Sequence, residues 1–93
     1  MQISYDENKR RKVLTERGLD FNDAAKLFES FHFTKRDDRY EYDEDRFQSI
    51  GEINDDIILV VWTLRDDSRR IITMWKLDNG ESEKFRQRRR DSG

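Results

Sequence analysis

The chain has 93 residues, which is the size of one domain, so we expect a single domain over residues 1–93. With 33% hydrophobic residues and a mean hydropathy of −1.15 its core must be thin, yet 12% aromatic residues argue against disorder. The net charge of −2 says little, whereas the absence of cysteine and of a long apolar segment excludes disulfides, thiolate metal sites and a membrane span and predicts a cytosolic protein.

The first residues predict a short strand and a helix. Residues 2–5 alternate polar and apolar side chains, which is typical of a strand. Asp6 is a good N-cap for a helix over Glu7–Arg17, and Gly18 can adopt the positive φ that ends a helix. We therefore expect strand, helix and tight turn in this order.

A second helix is predicted within residues 19–31, where Asp20 can cap the N-terminus and Asp23 takes the N3 position. Its apolar side chains recur at helical spacing and comprise Phe21, Ala24, Ala25, Leu27, Phe28 and Phe31. This stripe is the clearest amphipathic pattern in the chain, so the helix should cover one side of the core.

Strands dominate the rest of the chain. Residues 32–36 predict a brief strand, and the charged segment 37–46 has no burial period and predicts an exposed loop. Three longer β segments follow, separated by "NDD" and "DDS" turns, at residues 46–53, 56–65 and 69–77. Because residues 57–62 are apolar on both faces, they should form the central strand of an antiparallel meander.

A last helix completes the pattern. Asp78 caps it, Glu81 stands at the capping-box spacing, and Phe85 is its one large apolar anchor. The order β-α-α-β-β-β-β-α predicts an α+β domain. In it, an antiparallel sheet of four to five strands packs with two N-terminal helices and a short C-terminal helix.

Familiar catalytic motifs are absent: the sequence has no Gly-rich phosphate loop, no His-rich ligand set and no nucleophile elbow. His32 could be a general base, but nothing beside it in the sequence orients it, which favours a partly buried side chain at a strand start. The cluster at residues 43–45 lacks the spacing of an EF-hand loop and favours a solvated acidic loop. We assign no metal and no cofactor.

Charge is unevenly distributed along the chain. Residues 36–56 hold 3 basic and 9 acidic side chains, whereas residues 57–93 hold 9 basic and 6 acidic ones. Such an uneven field suits a polyanion at one face and a basic partner at another, and solvated loops would give the same pattern. The thin core also makes a partner that completes the burial plausible.

Basic and aromatic side chains gather late in the chain and comprise Arg65, Arg69, Arg70, Trp75, Lys76 and the segment 86–90. Guanidinium and ammonium groups can hold a backbone phosphate, and an indole can stack on an unpaired base. In the alternative interpretation Trp75 packs in the core on Leu14 or Phe28, and residues 86–90 form a solvated arginine face. Composition alone favours this alternative.

Several segments match one family in order and spacing. "YDENKRRKVLTERGLDF" has an aromatic-Asp-Glu-x-Lys start, a Gly followed by an aliphatic residue, and a Phe where the second helix begins. The matching positions are Tyr5, Asp6, Glu7, Lys9, Gly18, Leu19 and Phe21. "AAKLF", "DEDRFQSIG", "ILVVWTLR" and the pair Glu81 and Phe85 continue the match. The chain thereby resembles the BrnT family of bacterial toxins, which share a RelE-like fold.

The resemblance implies a type II toxin, a small ribonuclease that inhibits translation by cutting RNA and works without metal. It implies attack of a ribose 2′-OH on the adjacent phosphate, with basic side chains holding the phosphate and assisting proton transfer. It also implies a BrnA-like ribbon-helix-helix antitoxin that neutralises the toxin. The complex, a heterotetramer of two copies of each protein, would repress its own operon, with the antitoxin contacting the operator DNA. Membrane binding is not expected.

The last predicted strand departs from the family pattern. Where the family has an arginine associated with cleavage, this chain has Trp75, followed by Lys76. An indole cannot supply the charge or the bidentate hydrogen bonds of a guanidinium, so phosphate stabilisation falls to other cations. We predict catalytic roles for Arg65, Arg70, Lys76 and Glu81, and RNA-binding roles for Lys9, Trp75, Arg86 and Arg89.

Three functional hypotheses follow. The first is an active endoribonuclease whose modified site uses Trp75 to stack a base. The second is a catalytically weakened or inactive homologue that acts as an antitoxin-binding, operon-regulating partner. The third is a generic RNA-binding domain that uses Trp75 and the C-terminal arginines, detectable by salt-dependent affinity without cutting.

Overall fold

A computed structural model describes residues 1–92. Its strands are β1 (Gln2–Tyr5), β2 (His32–Arg36), β3 (Arg46–Ile53), β4 (Asp56–Arg65) and β5 (Ser68–Lys76). Its α-helices are α1 (Glu7–Arg17), α2 (Ala24–Glu29) and α3 (Asn79–Ser92). The predicted α+β class and element order are confirmed.

The strands form one five-stranded sheet in the order β1-β5-β4-β3-β2. The neighbours from β2 to β5 pair antiparallel, as the meander pattern predicts, whereas β1 pairs parallel with β5. A parallel pair needs a long connection, and nearly the whole chain lies between these two strands. The sheet is therefore mixed and not wholly antiparallel as predicted. Alternation in residues 2–5 predicts a strand but does not specify the partner or direction of its pairing.

The face of the sheet that α1 and α2 cover, here called the helix face, carries the main core. Successive side chains of a strand alternate between faces, and Ile58, Val60 and Trp62 of β4 point to this side. Phe21 and Leu27 reach them from above and are 0% exposed. Burial of each such side chain contributes roughly 1.5–3 kcal/mol. The predicted central strand is confirmed, since residues 57–62 are all buried.

The second helix is shorter than predicted. Residues 21–23 form a 3₁₀ turn, because the Asp20 carboxylate accepts from the Asn22 N–H at 2.9 Å and tightens the first turn. The helix then ends at Glu29, where Ser30 turns extended. The expectation that Phe31 continues the apolar stripe is therefore wrong. Phe31 is 39% exposed and its ring meets Phe33 and Phe85 instead.

The turns and caps follow the predicted chemistry. Gly18 ends α1 with φ 69°. The β3–β4 and β4–β5 hairpins turn at Asn54–Asp55 and Asp66–Asp67, all with φ between 50° and 73°. Asn and Asp tolerate this left-handed conformation better than other side chains, which suits two-residue hairpin loops. At α3, the Asp78 carboxylate accepts from the Glu81 N–H at 2.8 Å, as the capping-box spacing predicts.

The opposite side of the sheet, here called the second face, is covered in part by α3 and by the loop 37–45. Phe85 of α3 is 4% exposed and packs edge-on against Phe33 of β2 at 5.7 Å between ring centroids. The prediction that this loop is exposed is wrong at Asp37, which is only 3% exposed. The loop builds its own buried ion pair, a feature that burial periodicity cannot reveal.

Candidate functional site

A cavity of about 260 Å³ lies on the second face, where the ends of β3, β4 and β5 meet the start of α1. It is lined mainly by charged side chains, with the full lining being Asp6, Lys9, Glu44, Arg46, Thr63, Arg65, Arg70, Ile71 and Ile72. Four of these side chains carry positive charge at neutral pH and two carry negative charge. The cavity therefore favours an anionic ligand.

Strand register explains why two of the arginines lie in one row across the sheet. Arg46 of β3 and Arg70 of β5 both pair with Thr63 of β4, so the three residues form one row across the sheet. Neighbouring strands lie about 4.8 Å apart, which places the two arginine backbones roughly 10 Å from each other on the same face. Their guanidinium groups can reach the two sides of a single phosphate lying over Thr63.

Lys9 and Arg65 complete the cationic lining. Lys9 stands in the first turn of α1, which the Asp6 carboxylate caps by accepting from the Asn8 and Lys9 N–H groups at 2.8 and 3.2 Å. Arg65 stands at the end of β4. Within residues 1–92, Lys9 and Arg70 make no ion pair, so both cations are free to meet a ligand.

Glu44 is the carboxylate that can do chemistry in this cavity, because Asp6 is occupied as a helix cap. The Glu44 oxygens lie 3.5 Å from Arg46 Nε and 3.5 Å from an Arg65 nitrogen, so this carboxylate is held loosely between two cations. Arg46 Nε is buried and has no hydrogen-bond partner among the described residues. The Arg46 guanidinium also stacks over the Tyr42 ring at 4.2 Å. The Arg46 guanidinium is thus held in one orientation beside the cavity that the residue lines.

Of the predicted site residues, the cavity brings together Lys9, Arg65 and Arg70. Lys76 lies at the other end of β5, roughly 20 Å from Arg70 at about 3.3 Å per strand residue. Its ammonium pairs with Asp56 at 3.1 Å. Glu81 stands in the first turn of α3 and faces Lys84 at 3.5 Å. Lys76 and Glu81 do not line the cavity.

Trp75 is half-buried on the second face, opposite Leu59 of β4. The alternative that it packs on Leu14 or Phe28 is wrong, since Phe28 packs edge-on against Trp62 of the helix face at 5.8 Å. Met74 takes the helix-face position beside it, so alternation turns the indole away from the main core. One guanidinium, that of Arg39, lies over the indole at 5.7 Å.

A buried carboxylate holds Arg39 in this place. Asp37 accepts two hydrogen bonds from the Arg39 guanidinium, both at 2.8 Å, and a third from the Tyr42 hydroxyl at 3.3 Å. These bonds favour the charged form, so Arg39 holds the pKa of Asp37 at about 2, well below its usual range. The loop is thereby fixed against Trp75.

The C-terminal arginines predicted to bind RNA lie partly against the protein. Arg86 donates to the Asp55 carbonyl at 3.3 Å. Arg89 pairs with Glu52 at 3.3 Å and stacks on Phe85. Both residues are half-buried, and they lie outside the cavity. The expected role of His32 as a partly buried strand-start residue is confirmed, with Nδ1 2.8 Å from the Ser30 carbonyl.

Sequence reasoning assigned no role to Arg46 and treated Glu44 as part of a solvated loop. A signal was present for Arg46, because it alternates in phase with Gln48 and Ile50 of β3, and the segment "DEDRFQSIG" carries part of the family resemblance. Pairing with Thr63 required the register of three strands, which is not encoded in local pattern.

The fold and the cavity together define a class, namely a small α+β domain with a cation-lined site for an anionic group. Over residues 5–81 the chain matches the family described as "Ribonuclease toxin, BrnT, of type II toxin-antitoxin system". The match covers most of the chain, so the protein belongs to the BrnT family of ribonuclease toxins, as the sequence resemblance predicts. Membership in a type II system implies an antitoxin partner and an RNA substrate. No individual curated protein matches the chain.

Within residues 1–92, none of the helices combines the length and the apolar character needed to span a bilayer.

Proposed function

We propose that the protein is a metal-independent endoribonuclease that inhibits translation, and that the scissile phosphate of RNA lies in the cavity lined by Lys9, Arg46, Arg65 and Arg70. The observation that carries this proposal is the cross-strand row in which Arg46 and Arg70 flank Thr63. Two guanidinium groups on one side of a sheet can hold the phosphate and stabilise the charge that develops on its oxygens.

The cavity also contains groups for the two proton transfers. In the proposed reaction Glu44 takes the proton of the ribose 2′-OH, and the ribose 2′-oxygen attacks the adjacent phosphorus. The bond between phosphorus and the 5′-oxygen breaks, and Lys9 donates a proton to that oxygen. The products are a 2′,3′-cyclic phosphate and a 5′-hydroxyl. No group outside the cavity is needed for this sequence.

The other predicted residues keep roles outside the reacting centre. Lys76, predicted as catalytic, and Arg86 and Arg89, predicted to bind RNA, would contact a longer RNA that extends beyond the cavity, whereas the Glu81 carboxylate would repel its phosphates. The alanine variants of these three basic residues should then weaken RNA binding more than the rate of cleavage at saturation.

The test uses the purified chain, freed of any partner, with total RNA in EDTA. Cleavage by the wild-type chain, lost in Arg46→Ala and Arg70→Ala and kept in Arg90→Ala, would support the site. Arg90 is a suitable control because it is exposed and pairs with Glu83 on α3, away from the cavity. Cleavage that persists in both cavity variants would overturn the assignment.

A second candidate is a weakened toxin that serves as an antitoxin-binding, operon-regulating partner. The observation that favours it is Trp75, which occupies the position of the family's cleavage arginine and is covered by Arg39. A Trp75→Arg variant separates the two proposals. If only this variant cuts RNA, natural activity has been lost and the regulatory role becomes the proposed function.

The family supplies the rest of the proposal. The antitoxin would be a BrnA-like ribbon-helix-helix protein that neutralises the toxin in a heterotetramer. The complex would bind operator DNA through the antitoxin and repress its own operon in the cytoplasm. Mass measurement of the co-purified complex and its binding to operator DNA test these statements.

A further inference from the structure

Arg69 is a partly buried cation on the helix face, and it serves no purpose in the cavity. Its guanidinium lies over the Phe28 ring at 4.1 Å and over the Trp62 ring at 5.1 Å. Its Nε is buried without a hydrogen-bond partner among residues 1–92, and no carboxylate there forms an ion pair with it. Burial lowers the pKa of Arg69 from its usual value.

This arrangement is costly for an isolated domain. A desolvated charge normally has an opposite charge or several hydrogen bonds around it, because water no longer stabilises it. The two aromatic rings supply cation–π attraction but no acceptor for the N–H groups. The fold thus leaves a guanidinium that is oriented by two rings and whose buried Nε has no acceptor among residues 1–92.

Apolar side chains surround this guanidinium. Leu64 lies opposite Arg69 in β4 and is 56% exposed, and Ile3 lies opposite it in β1 and is half-buried. Phe47 stacks on Trp62 at 4.8 Å and is also half-buried. The Arg69 patch is defined here as Ile3, Phe28, Phe47, Leu64 and Arg69. A central arginine on aromatic rings within an apolar surface is the composition of a protein–protein hot spot.

We propose that the Arg69 patch docks a segment of the cognate antitoxin in which a carboxylate side chain stands beside apolar side chains. The identity of the partner rests on the proposed toxin function, whereas the chemistry of the segment rests on the patch. The carboxylate accepts two hydrogen bonds from Arg69, and the apolar side chains cover Leu64 and Ile3.

The surroundings favour a protein segment over RNA. The β4–β5 turn next to Leu64 and Arg69 carries Asp66 and Asp67, both exposed and without ion pairs in the described part of the chain. These two carboxylates repel a run of RNA phosphates more strongly than the single carboxylate of a protein segment. An RNA backbone would also leave the apolar surface of Leu64 and Ile3 without a matching contact.

The patch and the cavity are separable by mutation. Arg69 and Arg70 are consecutive in β5, so their side chains point to opposite faces of the sheet. Arg69 packs on the rings of the helix face, whereas Arg70 lines the cavity of the second face. A change at one residue should therefore affect docking and a change at the other should affect RNA.

The experiment titrates the purified chain with the antitoxin of the same operon, purified separately, by isothermal titration calorimetry. Arg69→Met should weaken binding at least about 30-fold, the scale of a hot-spot residue, without lowering Tm, since an apolar side chain of similar length replaces an unpaired charge. Arg70→Met should bind the antitoxin within about twofold of wild type. Unchanged affinity of Arg69→Met would overturn the proposal.

A second variant covers the case in which Arg69→Met fails to fold. Leu64→Glu places a carboxylate directly opposite Arg69 at an exposed position, and so supplies the acceptor from within the chain. It should raise Tm by about 2–5 °C and weaken antitoxin binding. If it binds the antitoxin as wild type does, the patch is not a docking surface.

The outcomes distinguish this inference from the nuclease proposal. Weaker antitoxin binding by Arg69→Met in a chain that cuts no RNA would support docking and reject the nuclease. If the wild-type chain cuts RNA and both the Arg69→Met and Leu64→Glu variants bind the antitoxin normally, the nuclease proposal is supported and docking is rejected. Sedimentation completes the set, because self-association of the isolated chain that depends on Arg69 would identify a second copy as the occupant and overturn the proposal.

Discussion

The two faces of the sheet are built from the same strands and use opposite chemistry. On the helix face, Phe21 and Leu27 close over apolar side chains, and the partly buried charge of Arg69 has no carboxylate partner among residues 1–92. On the second face, cations line a cavity and ion pairs tie down a loop. Period-2 alternation thus lets one strand serve stability on one side and ligand binding on the other.

The largest change in activity should come from the cavity on the second face, with no loss of stability on the helix face. Replacing Arg70 by Ala removes one of the two guanidinium groups that flank the proposed phosphate. Loss of one such donor costs about 10²–10³ in kcat, which single-turnover cleavage of RNA would measure. Thermal unfolding should stay close to that of wild type, since Arg70 makes no ion pair within residues 1–92. A fall in Tm that accounts for the lost activity would contradict this prediction.

The next change disturbs the helix face where α2 packs against β3. A Cβ at Gly51 would lie 2.7 Å from Leu27 Cγ and 3.2 Å from His32 Cβ, and Leu27 is 0% exposed. Gly51→Ala should therefore force α2 away from β3 and lower the free energy of unfolding by about 1–3 kcal/mol, measured by urea denaturation.

Gly80 offers the matched control for this change. A Cβ there meets only the Asp78 carboxylate at 3.5 Å, an ordinary contact, and Gly80 lies within a helix. Gly80→Ala should be neutral or stabilising by up to about 1 kcal/mol. Equal destabilisation by both variants would show that the space around Gly51 does not decide the result.

A smaller effect tests the ion pair of the second face. The pKa of Asp37 is about 2 in the folded protein and lies below its unfolded value, so its contribution to stability is complete above about pH 4. It is lost as the pH falls from about 4 to 2, on the order of 1–2 kcal/mol. The free energy of unfolding, measured by urea denaturation at several pH values across this range, should fall less steeply with decreasing pH for Asp37→Asn than for wild type.

The neighbouring Asp38 provides the comparison for Asp37, because it is exposed and forms no ion pair within residues 1–92. Asp38→Asn should change the free energy of unfolding by less than about 0.5 kcal/mol at neutral pH. If Asp37→Asn behaves like Asp38→Asn, the buried ion pair does not stabilise the loop.

The smallest effect is expected where an ion pair is fully surface-exposed. Arg11 pairs with Glu7 along α1 at 3.3 Å, and its side chain is 72% exposed. Arg11→Ala should lower the free energy of unfolding by less than about 0.5 kcal/mol, in contrast to Asp37→Asn. A larger fall in Tm would mean that α1 is stabilised more by its surface charges than by burial of Val13.

The sequence by itself determined the elements, because their signals are local. Asp6 and Gly18 delimit α1, the Asp-rich turns delimit the hairpins, and the apolar run in β4 identifies the central strand. It also determined the family, since the matching segments are recognisable without coordinates. Three of the cavity side chains, those of Lys9, Arg65 and Arg70, were already predicted from the sequence to be catalytic or RNA-binding residues.

Tertiary structure alone decided how these candidates are grouped. The register of β3, β4 and β5 places Arg46 beside Arg70, and the length of β5 separates Arg70 from Lys76. It also buried Asp37 and placed the Arg69 guanidinium over two rings, with its Nε lacking an acceptor among residues 1–92. The physical reason is that a charged side chain looks the same in sequence whether it is solvated, paired or buried, and only its neighbours in space determine which of these occurs.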